Sequence, residues 1–77
     1  MRLRKIGNNQ TELRYDDGTV RLYSYYTLVA LYVPGEGAYC TDAKYSPTTD
    51  GHISEAVERW KCERIDISQY DLEDKAP

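Results

Sequence analysis

Phenylalanine is absent from this 77-residue chain, and tryptophan, methionine and histidine occur once each. With His52 as the single histidine and no Cys-x-x-Cys around Cys40 or Cys62, the four ligands of a structural zinc site are missing. No metal and no cofactor is expected. The two thiols read as small buried hydrophobes, with a Cys40–Cys62 disulfide as the alternative. Long apolar runs are missing too. The longest, Tyr25 to Val33, has the length of a strand and falls well short of the ~18–20 residues of a membrane helix. Arg2, Arg4 and Lys5 near the start have no apolar stretch behind them, so no secretory signal is read there. The expected location is the cytoplasm, without membrane contact.

The aromatic content is instead tyrosine. Eight are present, five of them between Tyr23 and Tyr39. Tyrosine joins an apolar body to a polar tip, so such rings half-bury in a sheet and still face water or a partner. Charge is uneven along the chain. Residues 1–21 hold five basic against three acidic side chains, and residues 50–77 hold four against eight. With a net charge of −3 the whole chain lacks the electrostatic footprint of a nucleic-acid binder.

The length suits one small domain over 1–77, with a sheet over about 2–42, a helix over about 51–62 and an irregular C-terminal segment from about 63. Asp17-Gly18 is the strongest turn signal, since a two-residue hairpin needs positive φ at both central positions. Taken as the loop, it places Arg14 opposite Arg21, Leu13 opposite Leu22 and Glu12 opposite Tyr23. Leu13, Tyr15, Val20 and Leu22 then share a face. Gly7-Asn8-Asn9-Gln10 reads as an earlier turn after a strand over 2–6. Tyr25 to Val33 is apolar on both sides, as a doubly covered central strand is. Pro34-Gly35 follows as a turn, and Ala38 to Asp42 as a strand.

Ile53, Ala56, Val57 and Trp60 recur at helical spacing, with Thr49 or Asp50 as the N-cap. Arg64-Ile65-Asp66-Ile67 alternates like a short strand or extended segment, and Ser68-Gln69-Tyr70-Asp71 resembles a capping box opening one helical turn. The fold class is therefore α+β: a four- to five-stranded antiparallel meander packed by one amphipathic helix.

The string Thr11-Glu12-Leu13, Asp17-Gly18-Thr19, Ser24-Tyr25, Thr27-Leu28-Val29-Ala30 and Tyr32-Val33-Pro34-Gly35, followed by Thr41 to Thr49 and His52-Ile53, carries a resemblance. It is similar to a small domain of unknown function that recurs in bacteriophage, prophage and mobile-element genomes. Members tend to have Pro at the place of Leu28, and a Trp closer to the His-Ile pair than Trp60. The resemblance implies a small phage-type accessory protein working in the host cytoplasm. It brings no activity with it.

Candidate sites follow from the residues. Arg14 and Arg21, opposed like charges, would form with Tyr23 and Tyr25 a platform for phosphates and stacked bases. Diagonal neutralisation by Glu12 and Asp16 is the plainer account. Tyr23, Tyr25, Tyr39 and Tyr45 are expected near the surface, and Tyr15, Tyr26 and Tyr32 packed. His52 near Ser46, Thr49 and Asp50 matches no order of a catalytic triad, so no catalytic residue is assigned. The expected partner-binding set is Arg14, Arg21, Tyr23, Tyr25, Tyr39 and Tyr45. The function expected is non-enzymatic binding of a host or phage protein, including inhibition of a host nuclease or defence complex. Nucleic-acid binding through the basic hairpin is the alternative, and pairing into a homodimer a further option.

Overall fold

Between the second and third strands the chain turns on two aspartates and a glycine. Tyr15 N–H donates to the Thr19 carbonyl at 2.9 Å, and Gly18 N–H donates to the Tyr15 carbonyl at 3.1 Å. Gly18 sits at φ +92°, and Thr19 N–H donates to Asp17 Oδ1 at 2.9 Å. This is a three-residue loop, a tight turn closed by a left-handed glycine. The two-residue Asp17-Gly18 loop read from the sequence is one residue too short. Arg14 consequently faces Val20, Leu13 faces Arg21, Glu12 faces Leu22 and Thr11 faces Tyr23. Because side chains alternate, that single residue sends Glu12 to the Leu22 side and Leu13 to the Arg21 side.

The structure, a computed structural model, describes residues 2–7 and 9–76. Asn8, within the first expected turn, lies outside them. In chain order the elements are β1 (Arg2–Gly7), β2 (Gln10–Arg14), β3 (Val20–Ser24), β4 (Thr27–Val33), β5 (Gly37–Thr41), α1 (Pro47–Trp60), β6 (Arg64–Ile67) and α2 (Gln69–Lys75). The sheet runs β1-β2-β3-β4-β5-β6 in space. Its first five strands are an antiparallel meander, and β6 pairs parallel to β5 after the α1 crossover. The fold is α+β, but the described residues hold six strands and not four to five, and two helices and not one.

The C-terminal segment from about 63, expected as irregular around a short strand or extended stretch and one helical turn, is thus ordered. Ala38 N–H reaches the Glu63 carbonyl and Asp42 N–H the Ile67 carbonyl, each at 2.8 Å, bracketing the β5–β6 ladder. Ser68 then caps α2 by accepting from Asp71 N–H at 3.1 Å, as the capping pattern there implies.

Helix α1 also begins four residues before its expected start. Ser46, not Thr49 or Asp50, is the N-cap, accepting from Thr49 N–H at 3.1 Å. Pro47 occupies the first turn, where a missing N–H costs nothing. At the other end Lys61 adopts φ +53° as the C-cap, so the helix stops before Cys62.

Two helices on opposite faces give two cores. On one face Leu22, Ala30, Ala38 and Cys40 pack against Ile53 and Ala56 of α1, with Trp60 and Cys62 half-buried at the margin. On the other, Leu28 and Leu31 pack against Leu72 of α2, flanked by Tyr23 and Tyr39. Each fully buried Leu or Ile contributes about 1.5–3 kcal/mol by leaving water. Strand β4 serves both cores because of a bulge. Leu22 pairs with Ala30 and Tyr23 with Leu28, so Val29 is the extra residue and joins Ala30 under α1. Both thiols are free, and burial pushes the Cys40 thiol up to about 11.

The loop geometry predicts opposite effects at two glycines. A Cβ at Gly18 would meet Pro34 Cγ at 2.9 Å on top of its positive φ. Gly18→Ala should therefore cost about 1–2 kcal/mol in urea unfolding. Gly51 lies exposed within α1 with open space around it, and Gly51→Ala should stabilise by about 0.5–1 kcal/mol.

Candidate partner-binding surface

The expected binding residues are distributed over three places. The first is the α1 side of β2. Glu12 is 0% exposed, and a bare buried carboxylate would be several kcal/mol unfavourable. Arg14 donates to its Oε1 through Nε at 2.9 Å. Arg59 donates to its Oε2 through Nη2 at 2.6 Å, and Trp60 Nε1–H donates to the same oxygen at 3.2 Å. Burial pushes the Glu12 carboxyl up, but the Arg59 bond and charge, the Arg14 charge and the Trp60 bond outweigh it and leave its pKa below the ordinary 4.5. Arg14 is thus held by Glu12, and it does not face Arg21. The arginine pair expected from the two-residue loop does not exist.

The second place is the α2 side. Arg21 lies over the Tyr15 ring, 4.9 Å from its centroid, and its Nη1 donates weakly to Tyr23 Oη at 3.4 Å. Tyr39 donates its hydroxyl proton to Glu36, which raises the phenol's pKa, while Lys75 Nζ stands 4.3 Å from the ring centroid. A cleft of about 300 Å³ runs here over Leu31 and Val33. Arg21, Tyr23 and Tyr39 all make contacts within the fold, and Arg14 is on the other face.

The third place is the end of the sheet. Ser24 pairs with Thr27, so Tyr25 and Tyr26 alone form the β3–β4 turn. Tyr25 has φ +60°, a conformation that favours glycine, and its N–H donates to the Asn9 carbonyl at 2.6 Å. Tyr26 is 99% exposed, which corrects its expected place among the packed rings. Tyr45 stands half exposed across a cleft of about 320 Å³ that also contacts Tyr25, Ser24 and Thr49. Tyr25 and Tyr45, both in the expected set, therefore line one cleft, and Tyr26 stands next to Tyr25 in the turn.

Beneath that cleft lies a buried hydroxyl chain. Ser46 Oγ donates to Thr49 Oγ1 at 3.2 Å, Thr49 Oγ1 and Ser24 Oγ are 3.1 Å apart, and Ser24 Oγ and His52 Nδ1 are 2.8 Å apart. Which atom donates in the Thr49–Ser24 and Ser24–His52 contacts follows the His52 tautomer. The serine–histidine pair joins β3 to α1, whereas the sequence suggested neighbours from the loop before α1. A nucleophile would need a base oriented by a third group. Among the described residues no carboxylate bonds the ring, and the chain of bonds pins the helix start to the sheet.

Tyr26 and Arg59 were missed by sequence reasoning. The signal for Tyr26 was Ser24-Tyr25-Tyr26-Thr27, a two-residue interruption of the apolar alternation without the glycine or asparagine that marks such turns. Nothing in the spacing marks Arg59 as a partner of Glu12, 47 positions away.

Among known families, one described as of unknown function (DUF8033) matches residues 1–74. The chain belongs to that family. No curated protein and no solved structure matches it. Among the described residues of this DUF8033 chain, no helix is long and apolar enough to cross a membrane.

The Glu12 network has a pH signature. Because its pKa is lowered on folding, its stability is fully present above the ordinary value of 4.5 and is lost as pH falls through the lowered one. Glu12→Gln should cost about 2–3 kcal/mol at neutral pH. Urea midpoints measured across the acid range should show a shallower acid limb for this variant than for the parent.

Proposed function

We propose that the protein acts without catalysis, by binding a protein partner at the sheet end formed by Tyr25, Tyr26 and Tyr45. The observation that carries this reading is Tyr26, 99% exposed beside a tyrosine held at φ +60°. A left-handed conformation costs a residue with a Cβ about 1–2 kcal/mol, and local strain of this kind clusters where a surface has work to do. Three aromatic rings within one end of a 77-residue chain also match the residue type enriched at binding hot spots. The resemblance to domains of bacteriophage and mobile elements supports the finer reading: a phage-type accessory protein whose partner is a host or phage protein in the host cytoplasm. Inhibition of a host nuclease or defence complex fits that setting.

Pull-down from host lysate, with and without nuclease, tests the reading. The partner should be retained through nuclease treatment and moderate salt. Tyr26→Ala, which removes no packing, should weaken retention by about 2 kcal/mol, roughly thirtyfold. Tyr25→Gly should relieve the positive φ and keep or raise the melting temperature while weakening retention, separating binding from stability. Retention that vanishes with nuclease would instead favour the nucleic-acid alternative.

A further inference from the structure

The opposite border of the same surface is β1, an edge strand that pairs, among the described residues, with β2 alone. Its alternate N–H and C=O groups therefore point away from β2. Residues 2–5 are exposed, Leu3 at 71%. Register sorts their side chains by face. Arg2 opposes Arg14 and Arg4 opposes Glu12, which places both on the α1 side; Leu3 opposes Leu13 and Lys5 opposes Thr11 on the other. On the α1 side Arg2, Arg4, Arg14 and Arg59 thus share a face with Glu12, and from Arg2 to Arg4 cation and apolar residue alternate between the two faces. Of these, Arg14 and Arg59 are engaged by Glu12.

We propose that β1 accepts an extended acidic segment of the partner as an added strand, with acidic residues alternating with apolar ones. Acidic side chains would meet Arg2 and Arg4, apolar ones would cover Leu3, and the ladder would satisfy the open edge. A second copy of this chain is the wrong occupant, because β1 against β1 sets cations against cations. A phosphate backbone would use the arginines but would leave both Leu3 and the strand edge unmatched. The surface is continuous with the tyrosine end: Lys5, Asn9, Thr11, Tyr25 and Tyr26 line one cleft of about 220 Å³. The inference rests on the reading above only in taking the partner to be a protein.

A fluorescein-labelled, terminally blocked octapeptide alternating Glu and Val is the probe, titrated with the full chain by fluorescence anisotropy. Binding should weaken by about tenfold or more with Arg2→Glu/Arg4→Glu, and similarly in about 0.5 M salt. N-methylation of one of the two sets of alternate peptide amides should remove binding, and of the other set should leave it. Equal binding by both N-methylated peptides, or by a peptide of the same composition with its Glu and Val in blocks, overturns strand addition in favour of plain charge attraction. Tighter, arginine-dependent binding of a single-stranded oligonucleotide overturns it in favour of nucleic acid. Absence of peptide binding also overturns it, and in that case Tyr26-dependent retention of a partner leaves the tyrosine reading intact. Peptide binding alongside a Tyr26→Ala variant that retains its partner undiminished refutes the tyrosine reading alone.

Discussion

A carboxylate stripped of water must be surrounded by donors or it will not stay charged, and Glu12 sets that condition for the whole domain. Its two oxygens are met by Arg14 of its own strand and by Arg59 and Trp60 of the final turn of α1. Satisfying it requires β2 to present Glu12 toward α1, and requires α1 to end above that spot. The Trp60 indole meets both needs at once, donating to Glu12 and lying tilted beside Tyr32 with ring centroids 5.8 Å apart. A one-residue slip of β2 would carry the carboxylate to the other face, away from both α1 donors. Few surface ion pairs constrain register this strongly, because an exposed pair separates at little cost.

The same register decides what is left for a partner. With Glu12 inward, Arg14 is engaged at the α1 face and Arg21 stacks on Tyr15 at the α2 face. Strand β4 is then covered by α1 on one side and by α2 on the other. Among the surfaces that remain open are the β1 edge and the end of the sheet where Tyr25, Tyr26 and Tyr45 stand. The hydroxyl chain from Ser46 to His52 fixes the start of α1 beneath Tyr25, so the helix is held at both ends by polar groups and in the middle by Ile53 and Ala56. Such polar contacts specify position more than they add net stability.

Much of the architecture was legible in the residues. The stripe Ile53, Ala56, Val57 and Trp60 located the inner face of α1, and the apolar run through Val33 located a strand covered on both sides. Glu36 N–H donates to the Val33 carbonyl at 3.0 Å around Gly35 at φ +83°, as Pro34-Gly35 indicates. The errors share a physical origin. Asp-Gly serves both two- and three-residue loops, and local sequence does not distinguish them when Asp16 is also available for the turn. Pro47 reads equally as a loop residue and as the first residue of a helix. The parallel pairing of β6 depends on α1 returning the chain to β5, a contact no local pattern encodes. Tyr26 was assigned to the core because its neighbours are apolar, whereas Ser24 and Thr27 are the paired ends of a turn.

Cross-strand nuclear Overhauser contacts between β2 and β3 test the central claim most directly, since register determines where Glu12, Arg14 and Arg21 point. Glu12 should show the contacts of a residue directly opposed to Leu22, and Leu13 those of one opposed to Arg21. Contacts that place Leu13 opposite Leu22 and Arg14 opposite Arg21 would contradict the account, returning Glu12 to the other face and dissolving the network on which the position of α1 depends.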